Sequence, residues 1–126
     1  MPAWVGVDLD GTLAHYEHGD GVDKIGAPIP RMVQRIKSWL NQGLAVRIIT
    51  ARVGNCGVTN PDGIADDSAF AAKQRLMIED WCLKHIGTIL PVTCSKDFEM
   101  IEMWDDRAIQ CVPNTGLSLI EHQARG

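Results

Sequence analysis

With 126 residues, 45% hydrophobic and 22% charged, the chain has the size and composition of one soluble globular domain. Sixteen acidic residues against 12 basic ones give a net charge of −4. That balance argues against a general nucleic-acid-binding surface, though not against a nucleotide or a nucleic-acid end as ligand. No apolar stretch nears the ~20 residues of a membrane span. No basic region precedes the apolar run that begins at Trp4, so neither a membrane anchor nor a signal peptide is expected, and the protein reads as cytoplasmic.

Trp4-Val5-Gly6-Val7-Asp8 is short, apolar and ends in an acid, as a buried parallel strand does at its carboxyl end. Residues 10 to 29 are rich in Gly, Asp and His without a period and predict a loop or small hairpin. Pro30 then opens a helix. Met32, Val33, Ile36, Trp39 and Leu40 share one face of it, and Gly43 supplies the stop. Leu44 to Thr50 is the second strand. A Gly/Asn-rich loop over residues 53 to 65 leads to Asp66, Asp67 and Ser68, each an N-cap for a second helix.

The apolar face of that helix is Phe70, Met77, Ile78, Trp81 and Cys82, and Gly87 ends it. Thr88 to Cys94, Met100 to Asp105 and Ala108 to Val112 read as strands three to five, and Gly116 to Gln123 as a closing helix. Pro91 demands an edge position for the third strand. Glu102 is awkward inside a buried fourth strand. Cys56, Cys82, Cys94 and Cys111 form no C-x-x-C pair and read as small core hydrophobes of a cytosolic protein rather than zinc ligands or disulfides, and His15 and His18 have no partners at zinc-finger spacing. Trp39, Trp81 and Trp104 read as core.

Alternating strands and helices predict a single α/β domain over residues 1–126, a Rossmann-like parallel sheet with helices on both faces. Ligands in such sheets bind beyond the carboxyl ends of the strands. Four chemically pointed segments fall there. Asp8-Leu9-Asp10-Gly11-Thr12 closes the first strand and Thr50 the second; Lys96 follows the third and Asp105-Asp106 closes the fourth. A phosphate ester repels nucleophiles by its own charge, so its hydrolysis depends on positioning and charge neutralisation. Carboxylates holding an oxygen-ligated Mg²⁺ meet that need, one carboxylate can attack phosphorus, and a second can carry the proton.

In order, Asp8-x-Asp10-Gly11-Thr12, Thr50, Lys96 and Asp105-Asp106 resemble the four motifs of the haloacid dehalogenase superfamily. The likeness runs from residue 4 to 112 and is closest to short, capless phosphatase-type members, including small phage-encoded hydrolases. It implies a sheet order of 3-2-1-4-5 and a Mg²⁺-dependent phosphomonoester hydrolase working through an aspartyl-phosphate. In that scheme Asp8 is nucleophile and metal ligand. Asp10 is general acid/base and binds the metal through its carbonyl. Thr50 holds the phosphoryl group by hydroxyl and backbone N–H, and Lys96 steadies the transferring charge. Of the last pair the resemblance favours Asp106 as direct ligand and Asp105 as one acting through water. Gly11, Thr12, Arg52 and His15 are expected around the substrate.

Arg52 reads equally as a substrate contact or a solvated arginine, Arg107 as a structural ion pair, and His15, Tyr16 and His18 as flap residues. Asn55, Asn60 and Asp62 offer hydrogen bonds to a sugar or base, so a nucleotide or polynucleotide terminal phosphate is the expected substrate class for a monomer or homodimer. Other readings are a phosphotransferase or mutase, which normally needs a cap, and an inactive phosphate-binding subunit. A receiver-like signalling module shares the residue types, but its acidic pair comes first rather than last.

Overall fold

The computed structural model describes residues 2–54 and 68–125. Four parallel strands make one sheet in the order β3-β2-β1-β4, with β1 at Trp4–Asp8, β2 at Ala45–Ile49, β3 at Val92–Thr93 and β4 at Met100–Trp104. Helix α1 covers Pro30–Asn41, α2 Ser68–His85 and α3 Leu119–Arg125. The first four strands thus follow the expected order, and Asp66, Asp67 and Cys56 lie outside the described residues.

The register explains which face becomes core. Val5 and Val7 pair with Val46 and Ile48. All four join a buried cluster with Met32, Val33 and Ile36 of α1 and Ile78, Trp81 and Cys82 of α2. Both long helices therefore feed one face of the sheet. Each such side chain removed from water stabilises the fold by about 1.5–3 kcal/mol. The other face carries Trp4 and Gly6, opposite Ala45 and Arg47. There the Arg47 guanidinium lies 4.5 Å from the ring centroid of Trp4, and the Trp4 indole donates to Asp97 at 2.8 Å. That bond holds the Asp97 carboxyl below its ordinary range. The expectation of helices on both faces is corrected: residues 94–99, joining β3 to β4, are too few to hold a crossover helix.

Two further expectations change. The third strand shrinks to two residues, because Pro91 has no N–H for a ladder; its carbonyl still accepts from Ile48 N at 2.8 Å, at the sheet edge where proline is tolerated. The fifth strand does not join the sheet. Residues 110–112 instead pair back on 117–119, through Val112 N to the Leu117 carbonyl and Leu119 N to that of Gln110, both 2.9 Å. Pro113-Asn114-Thr115-Gly116 makes this local closure available, with Asn114 and Gly116 both at positive φ. β4 consequently is an edge strand in the described sheet, and Glu102 is simply exposed there, accepting from the Trp104 indole at 3.3 Å.

The segment after β1 forms the small hairpin that its composition allowed. Leu13 and Ala14 are fully buried, and His15 N and Ile29 N donate to the carbonyls of Ala27 and Leu13 at 2.8 Å. Pro30 opens α1 without a side-chain cap, and Gly43 follows its end. The hairpin is tied to α2 by Trp81 Nε1, which donates to the Gly26 carbonyl at 3.0 Å. A side chain at Gly26 would collide with the backbone carbonyl of His15, so the close approach of these two chain segments requires glycine. Trp81 and Cys82 are buried, whereas Trp39 and Trp104 are half-buried and pack at 5.4 Å between centroids. Cys82 is a core residue as expected, and burial raises its thiol above the ordinary range, whereas Cys94 is half-buried and Cys111 is exposed because its segment does not join the sheet.

Candidate active site

β1, β2 and β4 run parallel, so their carboxyl ends share one edge of the sheet and bring Asp8, Thr50 and Asp105-Asp106 to it. A cleft of about 700 Å³ opens there, lined among others by Asp8, Asp10, Tyr16, Thr50, Arg52 and Asp105. One carboxylate oxygen from each of Asp8, Asp105 and Asp106 lies within 4.8 Å of the others.

Three carboxylates this close repel one another. Burial, the Asp106 side-chain hydrogen bond and the charges of Asp105, Asp106 and Asp10 push Asp8 up to about 7. A divalent cation held there would relieve that repulsion. The donor set is all oxygen, which suits Mg²⁺, whose octahedral shell with ~2.0–2.1 Å bonds places ligand oxygens about 3 to 4 Å apart.

The turn after β1 is shaped around Asp106. Gly11 has φ +91° and packs so closely on the Asp106 carboxylate that a Cβ there would overlap it. Leu13 N and Ala14 N both return to the Leu9 carbonyl, at 3.0 and 2.8 Å, which closes the turn. Thr12 Oγ1 sits between Asp8 and Asp106, 3.5 and 3.4 Å from their oxygens, too far for strong bonds. Asp105 is fixed by its own Oδ1, which accepts from Arg107 N at 2.7 Å. Gly11→Ala is expected to displace Asp106, with about 1–3 kcal/mol of backbone strain, and to weaken by about tenfold the binding of any Mg²⁺ that the three carboxylates can hold. Titration of melting temperature against Mg²⁺ measures both; wild-type affinity in the variant would separate Asp106 from the metal.

Thr50 is buried. Its hydroxyl accepts from Arg52 N at 3.1 Å and so caps the 3₁₀ turn Ala51–Val53. Its own N–H donates to the Thr93 carbonyl at 2.9 Å, so only the hydroxyl proton is left for a phosphoryl group. Lys96 is exposed two residues beyond Cys94, outside the cleft lining and without a hydrogen-bond or ion-pair partner among the described residues. His15 is exposed and pairs with Glu17 at 3.0 Å; Tyr16, not His15, faces the cleft. Arg107 likewise lines the cleft, and among the described residues it forms no ion pair. Asn55, Asn60 and Asp62 lie outside the described residues.

Arg52 is neither solvated nor open to a ligand. Its side chain is 3% exposed. Nε and Nη2 donate to the two oxygens of Asp10 at 2.7 and 2.9 Å. Nη1 donates to Gln74 Oε1 at 2.9 Å and the Val22 carbonyl at 3.1 Å, and Nη2 also to the Lys24 carbonyl at 2.9 Å. All five N–H groups of the guanidinium are thereby occupied within the protein. Gln74 was not foreseen. It is 2% exposed and also donates to the Val22 carbonyl at 2.8 Å. Its signal was present as a polar residue on the apolar stripe of α2, one turn from both Phe70 and Ile78.

No family model and no curated protein matches the chain. Among solved structures it is similar to a conserved protein from Bacteroides thetaiotaomicron, at 16% identity and a TM-score of 0.53. The match covers 99% of this chain and 91% of that one. At that identity the likeness speaks for the fold alone. This is an α/β protein with a parallel sheet. Among the described residues no helix is long and apolar enough to cross a membrane.

Proposed function

We propose that the chain is a phosphomonoester hydrolase of the haloacid dehalogenase type, dependent on Mg²⁺ and working through an aspartyl-phosphate on Asp8. The observation that carries this reading is the convergence of Asp8, Asp105 and Asp106 within 4.8 Å at the carboxyl ends of β1 and β4. Asp10 and Thr50 line the same cleft.

Asp8, Asp106 and Asp105 would hold the ion, which supplies charge neutralisation at the phosphoryl oxygens and at the carboxylate cluster. In the first step an Asp8 oxygen forms a bond to phosphorus while the bond to the leaving oxygen breaks. Asp10 passes to that oxygen a proton taken up from solvent on a lone pair that Arg52 leaves open. In the second step Asp10, now a carboxylate, takes a proton from water as the water oxygen attacks phosphorus, and Asp8 leaves as a carboxylate. The Thr50 hydroxyl donates to the phosphoryl group during both. Lys96 would have to turn inward from its exposed position to share that charge.

The proposed substrate class is a nucleotide or polynucleotide terminal phosphate. Tyr16 and Arg107 on the cleft wall support it, offering an aromatic face and a cation for a base and its phosphodiester. A panel of nucleotides, phosphorylated oligonucleotides, sugar phosphates and nitrophenyl phosphate, assayed with Mg²⁺ and with EDTA, tests the whole reading. Hydrolysis is expected only with Mg²⁺, led by nucleotides or oligonucleotides. Turnover that persists in EDTA rejects the metal, and binding without turnover across the panel points to an inactive phosphate-binding subunit.

A further inference from the structure

We propose that Arg52, braced by Gln74, is the positioning residue of this site: it fixes the Asp10 carboxylate and locks it to the wall formed by residues 22–26. The inference rests on the phosphohydrolase reading and assigns Arg52 a role that excludes direct contact with substrate.

The guanidinium fork meets both Asp10 oxygens, at 2.7 and 2.9 Å, which sets the plane of the carboxylate as well as its position. A carboxylate has about four lone-pair sites and the fork occupies two. Asp10 therefore keeps acceptor capacity for a proton, and it lines the cleft with a side chain 23% exposed. The remaining three donors of Arg52 reach Val22, Lys24 and Gln74.

Gln74 completes the brace from α2, since its carbonyl oxygen accepts from Arg52 and its amide donates to the Val22 carbonyl at 2.8 Å. Val22 itself lines the cleft. Holding a loop against a helix does not by itself need a buried cation, which is costly to desolvate; neutral donors such as the Trp81 indole do so nearby. What needs a cation at this place is the carboxylate two residues from Asp8. Proton transfer to a leaving oxygen succeeds only within hydrogen-bond reach, so a freely rotating Asp10 would lose much of its effect.

Arg52→Lys and Gln74→Leu test the proposal against a series of phosphomonoesters of rising leaving-group basicity, from nitrophenyl to alkyl phosphates. Lysine keeps the charge but lacks the fork. In Arg52→Lys kcat/KM is expected to fall on the order of 100-fold for alkyl phosphates and about tenfold or less for nitrophenyl phosphate, because kcat/KM reports the step in which the leaving oxygen is protonated. Gln74→Leu, which leaves Arg52 in place, is expected to show the same selectivity at smaller amplitude, with amide hydrogen exchange rising at residues 22–26. A rise in KM at unchanged kcat would make Arg52 a substrate contact and overturn the proposal. So would equal losses of kcat/KM across the leaving groups, in either variant. A wild-type protein inactive on every ester overturns the phosphohydrolase reading with it, whereas an active wild type with unselective variants overturns the clamp alone.

Discussion

Replacing Asp8 with asparagine is expected to lower kcat on the order of 10⁴-fold or more while raising the melting temperature of the metal-free protein. The two effects have separate causes. In the proposed reaction an amide is a far poorer nucleophile than a carboxylate, so a bond to phosphorus would not form at a useful rate. Stability moves the other way because Asp8 sits half-buried among Asp105, Asp106 and Asp10, which together with burial push its carboxyl up to about 7. An uncharged amide removes one member of that repulsive group at neutral pH. Melting curves in EDTA at pH 8 and initial rates with Mg²⁺ measure the pair of effects. An Asp8→Asn variant that turns over normally would make water the attacking group. If the variant melts lower than wild type in EDTA, the acidic cluster carries no strain.

The sheet and its site were legible in the sequence to the extent that they follow from local pattern. Trp4–Asp8 and the start of α1 at Pro30 appear where apolar runs and proline place them. Asp8 and the Asp105-Asp106 pair meet because parallel strands bring their carboxyl ends together. What the pattern could not reveal is which side chains consume one another's donors. Arg52 looks open from its position after Thr50, and only the fold brings Asp10, Val22, Lys24 and Gln74 around it from three distant segments. The fate of residues 108–112 is similar. Their apolar run suits a fifth strand, but the turn through Asn114 and Gly116 gives them a nearer partner in residues 117–119. Non-local pairing then loses to a short hairpin whose closure costs less entropy.

The acidic cluster also sets how stability should depend on pH, and a bound cation would decide the sign. In the metal-free protein the Asp8 carboxyl has an ordinary value of 3.8 when unfolded and about 7 when folded. Between those values the folded state binds more protons than the unfolded one. The contribution of Asp8 is therefore present in full below about pH 4 and is lost as pH rises through about 7. Because Asp8 is partly exposed, solvent screening reduces the effect to the order of 1–2 kcal/mol, or a few degrees in Tm. Asp97 acts oppositely: its lowered value contributes stability above the ordinary carboxylate range that is lost in acid. The difference in Tm between wild type and Asp8→Asn, followed in EDTA from about pH 4 to 8, isolates Asp8 from Asp97 and is expected to turn against wild type as pH rises. With millimolar Mg²⁺ the proposed metal site predicts the reverse trend, because an ion held by the deprotonated carboxylates of the folded state would stabilise it more as pH rises. A difference that stays flat in EDTA would mean that Asp8 is ionised without cost in the folded protein. A Tm indifferent to Mg²⁺ at pH 8 would remove the ion from Asp8, Asp105 and Asp106, and with it the charge neutralisation on which the proposed chemistry depends.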